Sequence, residues 1–246
     1  MSDKFAGILR EAKQLALVLG ILLFAQTVAA QPFTIPSSSM EPTLLVGDKL
    51  LASKFAYGYS KYSAPISLMP DFEGRIFDRE PERGDVIVFR LPRDTSVNYV
   101  KRVIGLPGDT IQMHEGRLYI NGTKVPRREA GTFVGEMFGL QRNFTRYIET
   151  LPNGHEHEVL ELSDFERLDD TPVFTVPAGH YFMMGDNRDN SIDSRVSAMA
   201  EGVGLVPEEN LIGRADVILY SIDPDVAWWQ ITQWPSAFRR FFTHIG

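Results

Sequence analysis

Apolar and polar positions divide the chain into one long uncharged run near its N-terminus and many short apolar segments after it. No charged residue occurs in 14–35, and the centre of this run, 15–30, is almost wholly apolar. A run of about 20 such residues can cross a bilayer as a helix. Basic residues favour the cytoplasmic side, and three precede the run: Lys4, Arg10 and Lys13. We therefore predict a cytoplasmic N-terminus at 1–13 and a transmembrane anchor at 14–33.

The same run also fits a cleaved secretory signal, because Val28, Ala29 and Ala30 place small residues where such signals are cut. A buried helix fits it less well, since the run is apolar on all sides. The anchor is favoured because the candidate chemistry begins a few residues after the run ends.

The rest of the chain reads as short strands separated by turn residues, which is typical of a mostly β protein. Pro32, near the end of the run, and Pro36, just after it, exclude a helix that continues into the rest of the chain. Asn121-Gly122 indicates a hairpin turn, because both positions tolerate positive φ. The predicted strands are 85–90, 99–104, 117–120, 181–184 and 211–220.

The stretch 114–174 differs from its surroundings, since it is polar and lacks strong periodicity. We predict it to be a smaller inserted domain, with 34–113 and 175–246 forming the core around it. The stretch 57–82 fits a long hairpin or a loop.

The C-terminal tail mixes aromatic residues with arginines, a composition that suits a membrane interface or the packed end of a helix. These tail residues are Trp228, Trp229, Trp234, Phe238, Arg239, Arg240, Phe241 and Phe242.

The composition of the chain excludes several kinds of partner and catalytic mechanism. The 246 residues suffice for one β-rich domain, or for a core with a smaller insertion. A net charge of −7 argues against nucleic acid as a partner. The absence of cysteine excludes disulfides, a cysteine nucleophile and thiolate metal sites. A covalent mechanism would therefore need serine, threonine or lysine.

Three segments carry candidate chemistry. The first is the hydroxyl cluster of 37–39 between Pro36 and Pro42, which could be a linker, although the apolar residues after it indicate packing. The second is Lys101 in the predicted strand 99–104. The third is the polar stretch 185–195, which suggests a hydrogen-bonded network. The stretch could instead bind calcium, but the spacing of its oxygen-bearing residues departs from that of a calcium-binding loop.

Lys101 is the candidate base. Tyr99 and Val103 should share its face of the strand, because side chains alternate. Burial there would lower its pKa, which must fall by about 2–3 units from about 10.4 for the amine to act as a base near neutral pH. An exposed edge lysine is the alternative. The five histidines form no compact motif with a carboxylate, so a Ser-His-Asp triad stays open but unsupported. His155-Glu156-His157 could hold a metal, although no third ligand is evident.

Four motifs occur in order: Arg83 to Phe89, and the three above, namely Ser37-x-Ser39-Met40-x-Pro42-Thr43, Tyr99 to Asp109, and Gly185 to Arg195. Together they closely resemble the bacterial type I signal peptidases, a family of Ser-Lys serine proteases. The resemblance implies a mostly β fold: an N-terminal transmembrane helix, then a β-rich catalytic domain with a smaller inserted β domain.

The resemblance also implies residue roles. Ser39 would be the nucleophile and Lys101 its general base. Ser37 would stabilise the oxyanion, and Ser191 would orient the lysine. Structural ion pairs would join Arg102 to Asp186 and Asp193 to Arg195. The substrate pocket would be lined by Ile35, Met40, Leu44, Tyr99 and Val100. No metal and no cofactor are implied.

The implied activity is removal of N-terminal signal peptides from exported preproteins by cleavage after small residues at −1 and −3. The implied partners are secretory preproteins and the lipid bilayer. The implied place is the bacterial inner membrane, with a single span, a cytoplasmic N-terminus and a periplasmic catalytic domain. A maturation peptidase with one dedicated substrate stays open, and so does a membrane-tethered binding module without activity.

Overall fold

The computed structural model of the chain describes residues 2–63, 72, 74–222, 226 and 238–246. The chain begins with a helix, α1 (Ser2–Val28), and enters a sheet at once through β1 (Ala30–Thr34). The predicted end of the anchor at residue 33 is therefore wrong. The backbone from Ala30 to Thr34 pairs with a second strand, and Pro32, which lacks an N–H, lies in an edge strand.

Within the part of the chain that the structure describes, no helix is found that is both long and apolar enough to cross a membrane.

Fifteen further strands follow in the described residues, in agreement with the predicted mostly β class. They are β2 (Asp48–Ser53), β3 (Val86–Leu91), β4 (Asp94–Gly105), β5 (Thr110–His114), β6 (Arg117–Ile120), β7 (Thr123–Lys124), β8 (Arg127–Met137), β9 (Leu140–Thr150), β10 (Glu156–Glu161), β11 (Phe174–Thr175), β12 (His180–Met184), β13 (Val206–Pro207), β14 (Leu211–Ile222), β15 (Phe238–Arg239) and β16 (Thr243–His244).

The largest sheet has the order β1-β2-β14-β3-β4-β12-β13, and β15 and β16 also pair with β14. Its central strand β3 is almost continuously apolar because both of its faces are covered. Val86 and Val88 pack into one hydrophobic cluster, while Ile87 and Phe89 pack into another. The sheet thus supports a core on each side.

Two smaller sheets are formed by 110–175, with the orders β11-β5-β6-β7 and β10-β9-β8. The Asn121-Gly122 turn joins β6 to β7 with φ of +54° and +73°. The predicted boundary at residue 114 would separate β5 from β6, which pair as a hairpin. Strand pairing places it before β5 instead. That this region is a separate domain stays a prediction.

The stretch 57–82 begins as an irregular hairpin, in which Tyr59 and Ile76 form an isolated antiparallel bridge. Arg75 holds it to the core by donating hydrogen bonds to backbone carbonyls, including that of Leu211 at 2.8 Å. The rest of this predicted hairpin or loop, 64–71 and 73, lies outside the described residues.

Three residues of the aromatic tail, Trp228, Trp229 and Trp234, also lie outside the described residues. After them, β15 pairs with the end of β14. Arg240 then donates to Asp48 Oδ2 at 2.6 Å and to the carbonyl of Thr43 at 2.7 Å. At this point the tail is attached to the core.

Candidate active site

The hydroxyl cluster forms a packed turn directly after β1. Residues Ser38–Met40 make one 3-10 turn, and the side chain of Met40 is buried below it. The amide of Leu44 donates to the carbonyl of Met40 at 2.9 Å, and Leu44 is itself fully buried. Buried apolar side chains fix the turn, so the linker interpretation of the serine cluster is wrong.

Lys101 lies on β4 and is 2% exposed, so it is not an exposed edge lysine. Its Nζ donates to Ser39 Oγ at 2.5 Å and lies 5.5 Å from the centre of the Tyr99 ring. Burial lowers the pKa of Lys101 to about 8, against the opposing pull of the carboxylates of Asp193 and Asp186. A lysine with this pKa is neutral in a large fraction of molecules near pH 8. Its amine could then accept a proton from the Ser39 hydroxyl.

Ser37 and Ser191 also lie at the site, in unlike surroundings. The Oγ of Ser37 is exposed and lies 3.4 Å from Ser39 Oγ. Ser191 is buried, and its Oγ has no hydrogen-bond partner among the described residues. The structure therefore does not contain the expected hydrogen bond from Ser191 to Lys101. The hydroxyl points instead against the backbone of Gly185.

Gly185 allows the polar loop, 185–191, to approach the serine turn closely. A Cβ at this position would lie 2.3 Å from Ser191 Oγ and 2.5 Å from the carbonyl oxygen of Ser39. The amide of Asn187 donates to that same carbonyl at 3.2 Å. Any larger residue at 185 would push the loop and the turn apart.

Two buried ion pairs frame the loop. Arg102 binds Asp186 through both oxygens, at 2.9 and 2.8 Å. Arg195 binds Asp193 in the same way, at 2.9 and 2.8 Å. Burial alone would raise the pKa of Asp193, but Arg195 and the amide of Gly185 lower it. Asp193 is thus an anion beside the lysine.

The histidine pair of 155–157 lies behind Arg102. The two rings are stacked with centres 6.0 Å apart, and His155 Nε2 is 3.2 Å from Arg102 Nη1. Burial and the nearby guanidinium lower the pKa of both histidines. Among the described residues, no group of three or more His, Asp or Glu side chains is arranged to hold a metal.

A cleft of about 1110 Å³ opens over Ser39 and Lys101. Of the expected pocket residues, the cleft is lined by Ile35, Met40, Tyr99 and Val100. Leu44 does not line it, since its side chain packs in the core beneath with Met40 and Leu50. That expectation was wrong because the turn after Met40 directs Leu44 inward.

The cleft also has lining residues that the sequence did not suggest. Met137 and Phe138, at the end of the β8–β9 hairpin, line it together with Ile192. The sequence signal that could have indicated them is an apolar residue next to a glycine within an otherwise polar stretch.

On the opposite side of the cleft, β12 pairs with β4 only from Arg102 to Gly105. In the described structure, the backbone edge of 97–101 thus faces the cleft without a strand beside it.

A hydroxyl in contact with a buried amine, at the floor of a cleft with an open strand edge, is an arrangement suited to peptide-bond hydrolysis. The fold and the site together define a mostly β protein of the serine hydrolase class, with lysine as the candidate base.

Comparisons with known proteins agree with this class. The family model described as "Signal peptidase, peptidase S26" matches residues 8–220. The signal peptidase I of Rickettsia typhi (strain ATCC VR-144 / Wilmington) is 44% identical over 227 residues, which cover 89% of this chain and 82% of the relative. The enzyme of Rickettsia prowazekii (strain Madrid E) is 43% identical over the same shares.

Among solved structures, a signal peptidase I from Enterococcus faecalis V583 is 28% identical and covers 55% of this chain and 97% of its own, with a TM-score of 0.31. From the family match and the Rickettsia relatives, the chain belongs to the signal peptidase family, peptidase S26. It is a serine endopeptidase of the signal peptidase I type. The resemblance seen in the four motifs is thereby confirmed.

Proposed function

We propose that this enzyme removes signal peptides from exported preproteins with Ser39 as nucleophile and Lys101 as general base. The observation that carries the proposal is the 2.5 Å contact between Lys101 Nζ and Ser39 Oγ, made by an amine that is 2% exposed. A buried amine is easier to deprotonate than one in water, so it can serve as a base near neutral pH.

The proposed reaction has two stages. Neutral Lys101 takes the proton of Ser39 as its Oγ attacks the scissile carbonyl carbon. The oxyanion accepts hydrogen bonds from the Ser37 hydroxyl and the Ser39 amide. The C–N bond then breaks, and the leaving amine of the mature protein takes the proton from Lys101. A water, deprotonated by Lys101, next attacks the acyl-enzyme, which releases the signal peptide and restores Ser39.

The proposed specificity is for small residues at −1 and −3. The preprotein would bind extended along the open edge of β4, and main-chain hydrogen bonds would fix its register. Alternate side chains would then point towards Ile35, Met40, Tyr99 and Val100. Because these apolar side chains stand close to Ser39, large residues at either position would clash with them.

We also propose that α1 holds the enzyme at the bacterial inner membrane, with its N-terminus in the cytoplasm and the cleft in the periplasm. The large apolar side chains that the structure describes between 15 and 24 are at least half exposed, including Leu17 at 64% and Phe24 at 68%. The basic residues of the chain's first turns favour this orientation. Protease protection of the C-terminal domain in spheroplasts would contradict it.

Substitution of the two central residues tests the reaction. Ser39→Ala should abolish preprotein cleavage, since no oxygen nucleophile remains at that position. Lys101→Arg should also be inactive, because arginine does not lose its proton in proteins. Preprotein cleavage and circular dichroism would be measured together, and Lys124→Arg on exposed β7 is the matched control. Cleavage by Ser39→Ala at the wild-type rate would remove Ser39 from the mechanism.

A further inference from the structure

Arg188 is a buried cation in the loop that leads to Ser191, and its partner comes from a different sheet. Arg188 and Glu149 are each 1% exposed. Arg188 Nη1 donates to Glu149 Oε1 at 2.9 Å, and its Nη2 donates to Glu149 Oε2. Glu149 belongs to β9, at the centre of the three-stranded sheet. An unpaired buried charge is strongly destabilising, so Glu149 determines where Arg188 can lie.

The residues on both sides of Arg188 hold the serine turn. Asn187 donates through its side chain to the carbonyl of Ser38 at 3.2 Å. Asn190 donates to Ser38 Oγ at 2.9 Å. The amide of Asn187 also binds the carbonyl of Ser39. Because Arg188 lies between these two asparagines, its displacement would move both of them and release the turn.

Arg188 is also connected to the surroundings of Lys101. Its carbonyl accepts a hydrogen bond from Arg195 Nη2 at 2.5 Å. Arg195 in turn binds Asp193, one of the carboxylates that act on Lys101. A shift of Arg188 would therefore disturb the charges around the amine as well as the position of the hydroxyl.

The same small sheet, and the chain just after β10, also touch the loop through backbone groups. The amide of Leu160 donates to the carbonyl of Asp186 at 2.8 Å, and the amide of Leu162 donates to Asp189 Oδ2 at 2.6 Å. On β8, the carbonyl of Glu136 accepts from Asn190 Nδ2 at 3.0 Å. A substitution of the Glu149 side chain leaves these backbone groups in place. Glu149 contributes the charged contact, so its removal can be tested while the sheet stays attached.

We propose that Glu149 is a positioning residue for the reaction: by binding Arg188, it keeps the loop 185–191 against the turn that carries Ser39. The inference rests on the proposed function of Ser39 and Lys101. It gives the three-stranded sheet a part in catalysis, although none of the chain's sequence motifs includes Glu149.

The test compares Glu149→Gln with Glu158→Gln in the full-length chain. Glu158 lies on neighbouring β10 and makes a partly exposed ion pair with Arg146 at 3.4 Å. Its substitution therefore removes the same charge from the sheet at a position that does not contact the loop. For Glu149→Gln we expect kcat to fall about 10- to 100-fold, as misplacement near 1 Å produces. We expect KM to change less than kcat, because Ile35, Tyr99 and Val100 lie outside both the loop and the serine turn. Met40 is the one proposed pocket residue in that turn. Glu158→Gln should behave as wild type.

The pH profile separates positioning from mere loss of folded protein. Water reaching a loosened site would raise the Lys101 pKa, so the acid limb of kcat should move to higher pH in Glu149→Gln. Fewer folded molecules would lower the amplitude without moving the limb. Glu149→Asp keeps the charge and should recover part of kcat.

If Glu149→Gln fails to fold, the double variant Glu149→Gln/Arg188→Gln leaves no unpaired charge and is measured in its place. It should show the same low kcat and shifted limb. Wild-type kcat and an unmoved limb in whichever of the two folds would overturn the proposal. If wild-type enzyme cleaves and Ser39→Ala does not, that result leaves the proposed function intact. Cleavage by Ser39→Ala would instead defeat the proposed function itself.

Discussion

At Lys101, the surrounding protein takes the place of water around an amine. Tyr99 lies beside the amine, and Ile87 lies opposite Lys101 on β3. Burial is the largest cause of the lowered pKa, and the carboxylates of Asp193 and Asp186 limit the shift. This balance keeps the pKa of the amine in a range where the amine can both accept and return a proton.

The pH dependence of catalysis follows from this value. Lys101 is protonated below its pKa of about 8 and then cannot accept the proton of Ser39. We expect kcat to fall tenfold per pH unit on the acid side, with a midpoint near pH 8. Steady-state cleavage of a peptide between pH 5 and 10 measures it. A rate that stays constant from pH 6 to 8 would contradict this role of Lys101.

Glu41 predicts a pH-dependent stability. Burial, and then the carboxylate of Glu136, raise its pKa from 4.5 to about 7. The folded state therefore binds this proton more tightly than the unfolded chain. Stability from this group is fully present below pH 4.5 and is lost as the pH rises through 7.

Glu41→Gln removes this titration. We expect the variant to unfold with a free energy about 1–3 kcal/mol higher than wild type at pH 8.5, with the difference disappearing towards pH 5. Urea denaturation at the two pH values measures both. Glu156→Gln, at an exposed carboxylate, is the control. An equal gain at both pH values would show that Glu41 does not titrate in this range.

Among the elements, the β8–β9 hairpin contains an unfavourable turn. Phe138 and Gly139 join the strands with φ of +53° and +76°. Two successive positive φ values form the turn for which Asn-Gly is the preferred pair. A phenylalanine resists this conformation, and Phe138 is 89% exposed, so little packing compensates.

Phe138→Asn should therefore raise the free energy of unfolding by about 1 kcal/mol. Thermal and urea unfolding would measure the change, with Phe165→Asn, at a 90% exposed phenylalanine without positive φ, as the control. Destabilisation by Phe138→Asn would mean that the ring makes contacts that hold the hairpin.

The same hairpin shows why some elements escaped sequence reasoning. The prediction 117–120 matches β6, and 85–90 differs from β3 by one residue at each end. These strands have a buried face, and burial requires apolar residues. Most positions of β8 are partly or fully exposed, so its sequence lacks a period-2 pattern. A strand without a buried face gives no hydrophobic signal to detect.

At the scale of the whole molecule, the helix α1 contacts the rest of the described chain through β1 and the 3-10 turn Lys54–Ala56. The described apolar side chains of α1 are mostly exposed, and β1 begins two residues after the helix ends. The carbonyl of Ala29 accepts a hydrogen bond from the amide of Lys54, so the chain is hydrogen-bonded to the neighbouring segment from that residue onward. We therefore expect the catalytic unit to depend on β1 and not on α1.

Deletion of residues 2–28 should leave the fold and the cleavage of a soluble peptide in place. We expect the free energy of unfolding to change by less than about 1 kcal/mol, because little buried surface is removed. Circular dichroism melting and kcat measure the outcome. Deletion of residues 2–34 also removes β1 and should abolish both. Loss of cooperative unfolding in the shorter deletion would show that α1 supports the core.

The sequence by itself determined the β class, several strand positions, and the family through four motifs. The resemblance to that family, through the motifs that contain them, then singled out Ser39 and Lys101. Tertiary structure decided what depends on distant contacts: the meeting of two residues 62 positions apart, and the burial of Leu44. It also decided the absent hydrogen bond of Ser191, and the choice of Glu149 as the partner of Arg188. A local pattern records which side of a strand is buried, but not which other segment covers it.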